Sequence, residues 1–259
     1  MSRIVNVIIR AVSVAVIVLM TGILTTIASA QVVKPEQNAE NVAAGKAIYD
    51  RTCVFCHGAV GKGDGPVAYF LTGNMSPRPR DFTAGVYRFK STLSEELPAD
   101  GDLFRTITRG VPGFMPTYSG LVPQQRWQLV YYIKSLFPGF ATAEPKPIEL
   151  GTPVASSMAS VSRGGIIFED LGCSGCHGAN GMGDGELAED LEDDLSFKIV
   201  PANLTMLNSL KNGSGKGDIY RTIMTGINGT PMPSFEDTVE SKDDVWDLVN
   251  FILSLSGSR

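Results

Sequence analysis

Strand signals are nearly absent from this chain, no stretch after residue 30 is apolar enough to span a bilayer, and there is no surplus of basic residues. The first absence points to an all-α fold. The second confines any membrane segment to the N-terminus. The third, with 22 Lys and Arg against 27 Asp and Glu and a net charge of −5, argues against a nucleic-acid partner. Histidine and cysteine are scarce as well, at two and four in 259 residues. Cys53-Val54-Phe55-Cys56-His57 and Cys173-Ser174-Gly175-Cys176-His177 use every one of them.

Cys-x-x-Cys-His is the attachment signature of c-type haem: two thiols add across the vinyl groups of one porphyrin and the adjacent imidazole becomes the proximal iron ligand. Two disulfides, a thiol redox pair or a zinc site would use the same cysteines, yet none of these needs a histidine directly after each pair. Two covalent haem c groups are therefore expected, bound by Cys53, Cys56, Cys173 and Cys176, with His57 and His177 on the irons. The N-terminus agrees with this. Arg3 and Arg10 precede an uncharged stretch from Ala11 to Ala30 that ends Ala28-Ser29-Ala30, which reads as a secretory signal over residues 1–30. Its apolar core approaches membrane-spanning length, so a retained anchor is the alternative. Either way the mature chain is expected in the periplasm, where haem c is attached.

Aligned at their cysteines, the two halves repeat. Gly61-Lys62-Gly63-Asp64-Gly65 matches Gly181-Met182-Gly183-Asp184-Gly185, and Pro79-Arg80-Asp81-Phe82-Thr83 matches Pro201-Ala202-Asn203-Leu204-Thr205. Gly101-Asp102-Leu103-Phe104-Arg105-Thr106-Ile107 matches Gly217-Asp218-Ile219-Tyr220-Arg221-Thr222-Ile223. Opening helices are expected from about Glu40 to Arg51 and from Gly165 to Leu171. Closing helices are expected over Trp127–Leu136, ended by Pro138, and over Trp246–Leu255, with Ser241 and Asp244 as its cap and Gly257 at its end. Leu129, Tyr132, Ile133 and Leu136, like Leu248, Phe251, Ile252 and Leu255, recur at helical spacing and define one apolar face each. The organisation that follows is a first domain at 31–138, a Pro-, Ala-, Ser- and Thr-rich linker at 139–162 and a second domain at 163–259.

Without a third histidine neither iron can have two imidazole ligands, so the distal position falls to methionine, a weaker donor, water or nothing. Met115 in Gly113-Phe114-Met115-Pro116 and Met232 in Thr230-Pro231-Met232-Pro233 occupy equivalent loops after the Arg-Thr-Ile helix. A thioether is a weak ligand that binds well only from a loop with little freedom left to lose, and flanking proline supplies that restraint. Met182 lies too close to His177, Met224 sits inside a helix, and Met75 and Met206 have no counterpart in the other half.

Each half resembles a class I cytochrome c domain: an opening helix into Cys-x-x-Cys-His, a loop methionine and a closing aromatic helix. The run from Gly61 through Pro79-Arg80-Asp81-Phe82-Thr83 to Asp102-Leu103-Phe104-Arg105-Thr106 is similar to dihaem cytochromes c of bacterial respiratory chains. The resemblance implies two tandem all-α domains, each wrapped around a haem with His and Met ligands. In class I domains a proline after the motif commonly accepts the proximal imidazole proton through its carbonyl. Pro66 stands there in the first half and Glu186 in the second, which leaves the acceptor for His177 open.

Closed irons can only change oxidation state, so single-electron transfer between a protein donor and a protein acceptor is the expected function, at relatively high potential. A dedicated cytochrome subunit of a larger dehydrogenase, reductase or membrane respiratory complex is a second reading. A dihaem enzyme such as a peroxidase, which needs an open iron, is a third. Charge is polarised: residues 31–150 hold 13 Lys and Arg against 11 Asp and Glu, and residues 151–259 hold 7 against 16. Glu186, Glu189, Asp190, Glu192, Asp193 and Asp194 form an acidic cluster opposite Arg78, Arg80, Arg88 and Lys90 of the first half. It is read either as a docking patch for a basic partner or as a solvated loop, with the arginines paired locally.

Overall fold

The computed structural model describes residues 34–72 and 76–257. The expected signal segment, residues 1–30, lies outside the described residues. Residues 34 onward form one compact unit that holds both halves. Among the described residues the regular structure is helical, with isolated bridges only at Val111–Met115 and Glu192–Lys198. No helix there is long and apolar enough to cross a membrane.

In the first half α1 (Ala39–Thr52) runs into α2 (Val54–His57), followed by α3 (Pro66–Thr72), α4 (Asp100–Arg109) and α5 (Pro123–Ser135). The second half repeats this with α6 (Met158–Asp170), α7 (Cys173–His177), α8 (Lys216–Thr225) and α9 (Lys242–Ser256), with a short 3-10 helix, Ala188–Asp190, in the place of α3. Caps explain the starts. The side chains of Asn38, Ser157 and Ser241 accept from the backbone N–H groups of Asn41, Ser160 and Asp244. Pro123 takes the first turn of α5, where its missing N–H costs nothing.

Opening and closing helices cross in both halves at a glycine. A Cβ on Gly45 of α1 would strike the Gln128 carbonyl of α5, and one on Gly164 of α6 would strike the Asp247 carbonyl of α9. The backbones therefore approach more closely than any side chain allows, which fixes α1 and α6, and with them the cysteines that follow. Around these crossings the halves have separate cores. One includes Tyr49, Leu103, Ile107 and Leu129–Ile133; the other includes Phe168, Tyr220, Ile223, Trp246 and Leu248.

Two details differ from the sequence reading. Helix α6 starts at Met158, seven residues before Gly165 and inside the stretch read as linker, because Ser157 caps it and the hydroxyl of Ser160 donates to Asp247 at 2.5 Å. The closing helices also bury more than one face. Tyr131 and Val130 are buried beside Leu129, and Val245, Trp246 and Val249 beside Leu248, since each helix packs on its opening helix and lines a cavity too. The remaining linker is strapped down. Ile148 N donates to Ser91 O at 2.7 Å, and Leu150 O and Val154 O accept from Trp246 and Asn250 at 3.0 and 3.2 Å.

Candidate haem sites

Each half encloses an apolar cavity. Tyr49, Cys53, Cys56, His57, Phe82, Leu103, Ile107 and Leu129 line the first, and Met115 reaches its wall from the loop after α4. Phe168, Cys173, Cys176, His177, Leu204, Ile219, Ile223 and Leu248 line the second, with Met232 in the corresponding place after α8. All eight residues singled out from sequence thus converge, four to a cavity. No disulfide joins the four cysteines, and the described residues contain no cluster of three or more His, Cys, Asp or Glu able to hold a metal ion. Met182 and Met206 are exposed and Met224 is buried within α8.

The glycine-rich run after each motif folds the chain back over the histidine. Gly63 N donates to His57 O at 2.9 Å and Phe82 N to Gly61 O at 2.7 Å. Gly183 N to His177 O at 2.8 Å and Leu204 N to Gly181 O at 2.7 Å repeat them. Gly63 and Gly183 have positive φ, and a side chain on either would collide with the Pro79 or Pro201 carbonyl, so glycine is required for this return. The segment laid down next carries the proton acceptors. Arg80 O lies 3.5 Å from His57 Nδ1, and Ala202 O lies 2.9 Å from His177 Nδ1. Neither Pro66 nor Glu186 is the acceptor; the carbonyls come from the Pro-Arg-Asp-Phe-Thr and Pro-Ala-Asn-Leu-Thr repeats. Asp81 and Asn203 hold that segment by accepting from the N–H and hydroxyl of Thr83 and Thr205. The repeat was visible in the sequence, but its role was not, because a backbone carbonyl leaves no side-chain signature.

Burial pulls the His57 imidazole down to about 4, and lowers His177 too, so both rings are neutral at physiological pH, the form that binds a metal. Phe82 stacks on His57 with centroids 4.5 Å apart. Burial also raises the thiols of Cys53, Cys56 and Cys173, the last to about 11.

The methionine loops share one geometry. Val111 N donates to Met115 O at 2.8 Å and Ile227 N to Met232 O at 3.0 Å, while Tyr118 N and Phe235 N return to Ile107 O and Ile223 O at 3.1 and 3.2 Å. Gly110 and Gly226 turn each loop at positive φ against the carbonyl side of Met115, Pro116 and Pro233.

Pro77, Arg88 and Phe89, all from the first half, line both cavities, so the two sites are neighbours across one wall. Arg88, 3% exposed, bonds Asp193 Oδ2 at 2.5 Å, Asp194 Oδ1 at 3.3 Å and Ser76 Oγ at 2.6 Å; Arg80 binds Asp194 through both terminal nitrogens at 3.2 and 3.0 Å. Lys90 is buried and donates to the carbonyls of Leu93, Ser94 and Glu96. Asp193 and Asp194 pair with Arg80 and Arg88 at the junction of the halves. Glu186, Glu189 and Asp190 of the acidic cluster are exposed, as is Glu192, whose carboxylate lies 3.8 Å from Lys198 Nζ. The junction is paired because burying either sign alone would be far more costly.

The cavities suit a porphyrin. Their walls are mostly apolar, a thiol pair and a neutral imidazole stand at one side and a thioether at the other. Tyr87 Oη, Arg88 Nε and Asn212 Oδ1, buried without a hydrogen-bond partner among the described residues, belong to side chains that line them and match the polar edge of such a group. Fold and site together define an all-α protein with two covalent haem sites. Residues 42–137 and 161–256 each match the family model for cytochrome c, and the chain belongs to that family. Two cytochrome c domains, each with its cysteine pair, imply two covalently bound haem c groups and make this a dihaem cytochrome c.

A chain of the reducing HAO-like protein complex of Kuenenia stuttgartiensis is 39% identical, with a TM-score of 0.75 over 82% of this chain and 95% of that one. The cytochrome bc1 complex cytochrome c subunit of Corynebacterium efficiens is 25% identical over 225 residues, 82% of this chain. The chain spans 62% of that relative's length.

Proposed function

We propose that this protein passes single electrons between periplasmic respiratory partners through two haems, the first ligated by His57 and Met115 and the second by His177 and Met232. The observation that carries this reading is the gathering, in each of two adjoining cavities, of one cysteine pair, one neutral histidine and one loop methionine. A bound haem supplies reversible one-electron exchange between ferrous and ferric iron. The chain's own residues supply the rest. The carbonyls of Arg80 and Ala202 accept a hydrogen bond from Nδ1–H, which leaves Nε2 as the ring nitrogen with a free lone pair and sets the ring's orientation. The apolar walls exclude water, and Met115 and Met232, holding the irons, would leave no open site for oxygen or peroxide. Pro77, Arg88 and Phe89 line both cavities, so the two groups would lie on either side of one wall.

Carbon monoxide binding to the reduced holoprotein tests the ligands. The parent should not bind it near neutral pH, whereas Met115→Ala and Met232→Ala should each open one haem. Binding by the parent at a rate matching a variant would overturn the assignment.

A second reading, service as the cytochrome subunit of a larger oxidoreductase or membrane complex, is favoured by the relatives, which are named as parts of a cytochrome bc1 complex and of an HAO-like protein complex. Purification from native membranes and periplasm separates the two: a stoichiometric partner chain supports the subunit, and a monomer of full electron-transfer competence supports the free carrier.

A further inference from the structure

Each methionine loop is shaped by its own half and anchored by the other. The first loop begins at Arg109, the last residue of α4. Its guanidinium donates to Asp218 Oδ2 at 2.7 Å and to Asn212 O at 2.8 Å. At the far end Lys211 Nζ sits 5.4 Å from the ring centroid of Phe114, the residue before Met115. Both anchors come from the second half, and Lys211 and Asn212 also line its cavity. The second loop is tied in return. Asn228 Nδ2 donates to Ser94 O at 2.8 Å, Arg88 Nη2 approaches Gly229 O at 3.4 Å, and Thr225 Oγ1, just before the loop, reaches Lys90 O at 3.4 Å. Hydrogen bonds inside each loop, Val111 with Met115 and Ile227 with Met232, fix its shape, bonds from Tyr118 N and Phe235 N tie its far end to its own α4 or α8, and the contacts from the other half brace it from outside.

We propose that the halves brace each other's methionine: Lys211 and Asp218 are positioning residues for Met115, and Arg88 is one for Met232. The inference rests on the His/Met reading above. A thioether bond to iron is weak, so it persists only where the loop has little entropy to regain by letting go. Charge-assisted bonds such as Arg109 to Asp218 are the stronger kind of anchor. Loosening them in one half should therefore open the iron of the other.

The test is the ferrous holoprotein bearing Lys211→Met and Asp218→Asn, both far in sequence from Met115. The ring-current-shifted methyl signals of the two axial methionines, assigned with Met115→Ala and Met232→Ala, report each haem separately. The double variant should weaken or broaden the Met115 signal more than the Met232 signal and raise carbon monoxide binding at the first haem by about tenfold, beyond any change at the second. Arg88→Lys should do the reverse. An intact Met115 signal in a double variant that carries two haems overturns the bracing, as does equal loss of both signals. If Met115→Ala removes no shifted methyl, the ligand reading has failed instead. Should the double variant not mature, Lys211→Met alone, which leaves the Asp218 cap of α8 in place, must show the same one-sided change.

Discussion

Asp102 lies in the first turn of α4 at 1% exposure and accepts from the backbone N–H groups of Ser91 and Ala99, the Ser91 hydroxyl and Arg105, at 2.8 to 3.0 Å. One carboxylate thus starts the helix, ties it to the preceding loop and fixes the axis that ends at Arg109 and the Met115 loop. Asp102→Ala would leave buried donors without acceptors and should lower stability by about 2–4 kcal/mol in denaturant titration. Asp102→Asn, which keeps an acceptor, should cost clearly less. The second-half counterpart, Asp218, is 14% exposed at its side chain and bonded mainly to arginines, so Asp218→Asn should be milder than Asp102→Ala.

Between helices the decisive contacts are at glycine. Gly45→Ala would force α1 off the Gln128 carbonyl, a backbone atom that cannot swing aside, and should cost about 1–3 kcal/mol while displacing Cys53 and His57. Gly101→Ala provides the contrast. Gly101 sits in α4 with nothing within 4 Å of a built Cβ, so the change should be neutral or stabilising by up to about 1 kcal/mol in the same thermal melts. These elements also show what could be read from sequence and what could not. Periodicity in Leu129–Leu136 and Leu248–Leu255 located the closing helices, and Cys-x-x-Cys-His located the sites, because both patterns live in side-chain identity. The helix crossings at Gly45 and Gly164 and the carbonyls of Arg80 and Ala202 depend on backbone proximity, which no residue type announces. Helix α6 was read short because Ser157-Met158-Ala159-Ser160 looks like linker composition until the bond from Ser160 to Asp247 is seen.

The whole molecule is joined at a buried ionic junction. Burial by itself would raise the Asp193 carboxyl, but hydrogen bonds from Ser76, the Phe197 backbone, Arg88 and the Leu195 backbone outweigh it and hold the group below 3.8. Asp194 is likewise desolvated and likewise held down, chiefly by Arg80. Since the fold lowers both values, their contribution is complete above about pH 5 and is lost as the pH falls through the lowered values. Calorimetric unfolding of the holoprotein should accordingly be a single transition near neutral pH and divide into two in acid, as the halves uncouple. Asp193→Ala should move the profile toward division at neutral pH, with a loss of about 2–4 kcal/mol, because Arg88 would keep only the longer ion pair to Asp194 in a dry site.

The wall of Pro77, Arg88 and Phe89 belongs to the first half alone, yet both cavities are built against it. A duplicated chain would ordinarily let each copy drift on its own. Here the second copy has lent out part of its enclosure, and any change at these three positions must suit two prosthetic groups at once. Their freedom to mutate is therefore narrower than that of the residues lining one cavity only, and the second copy could not be carried away as an independent gene without taking a stretch of the first.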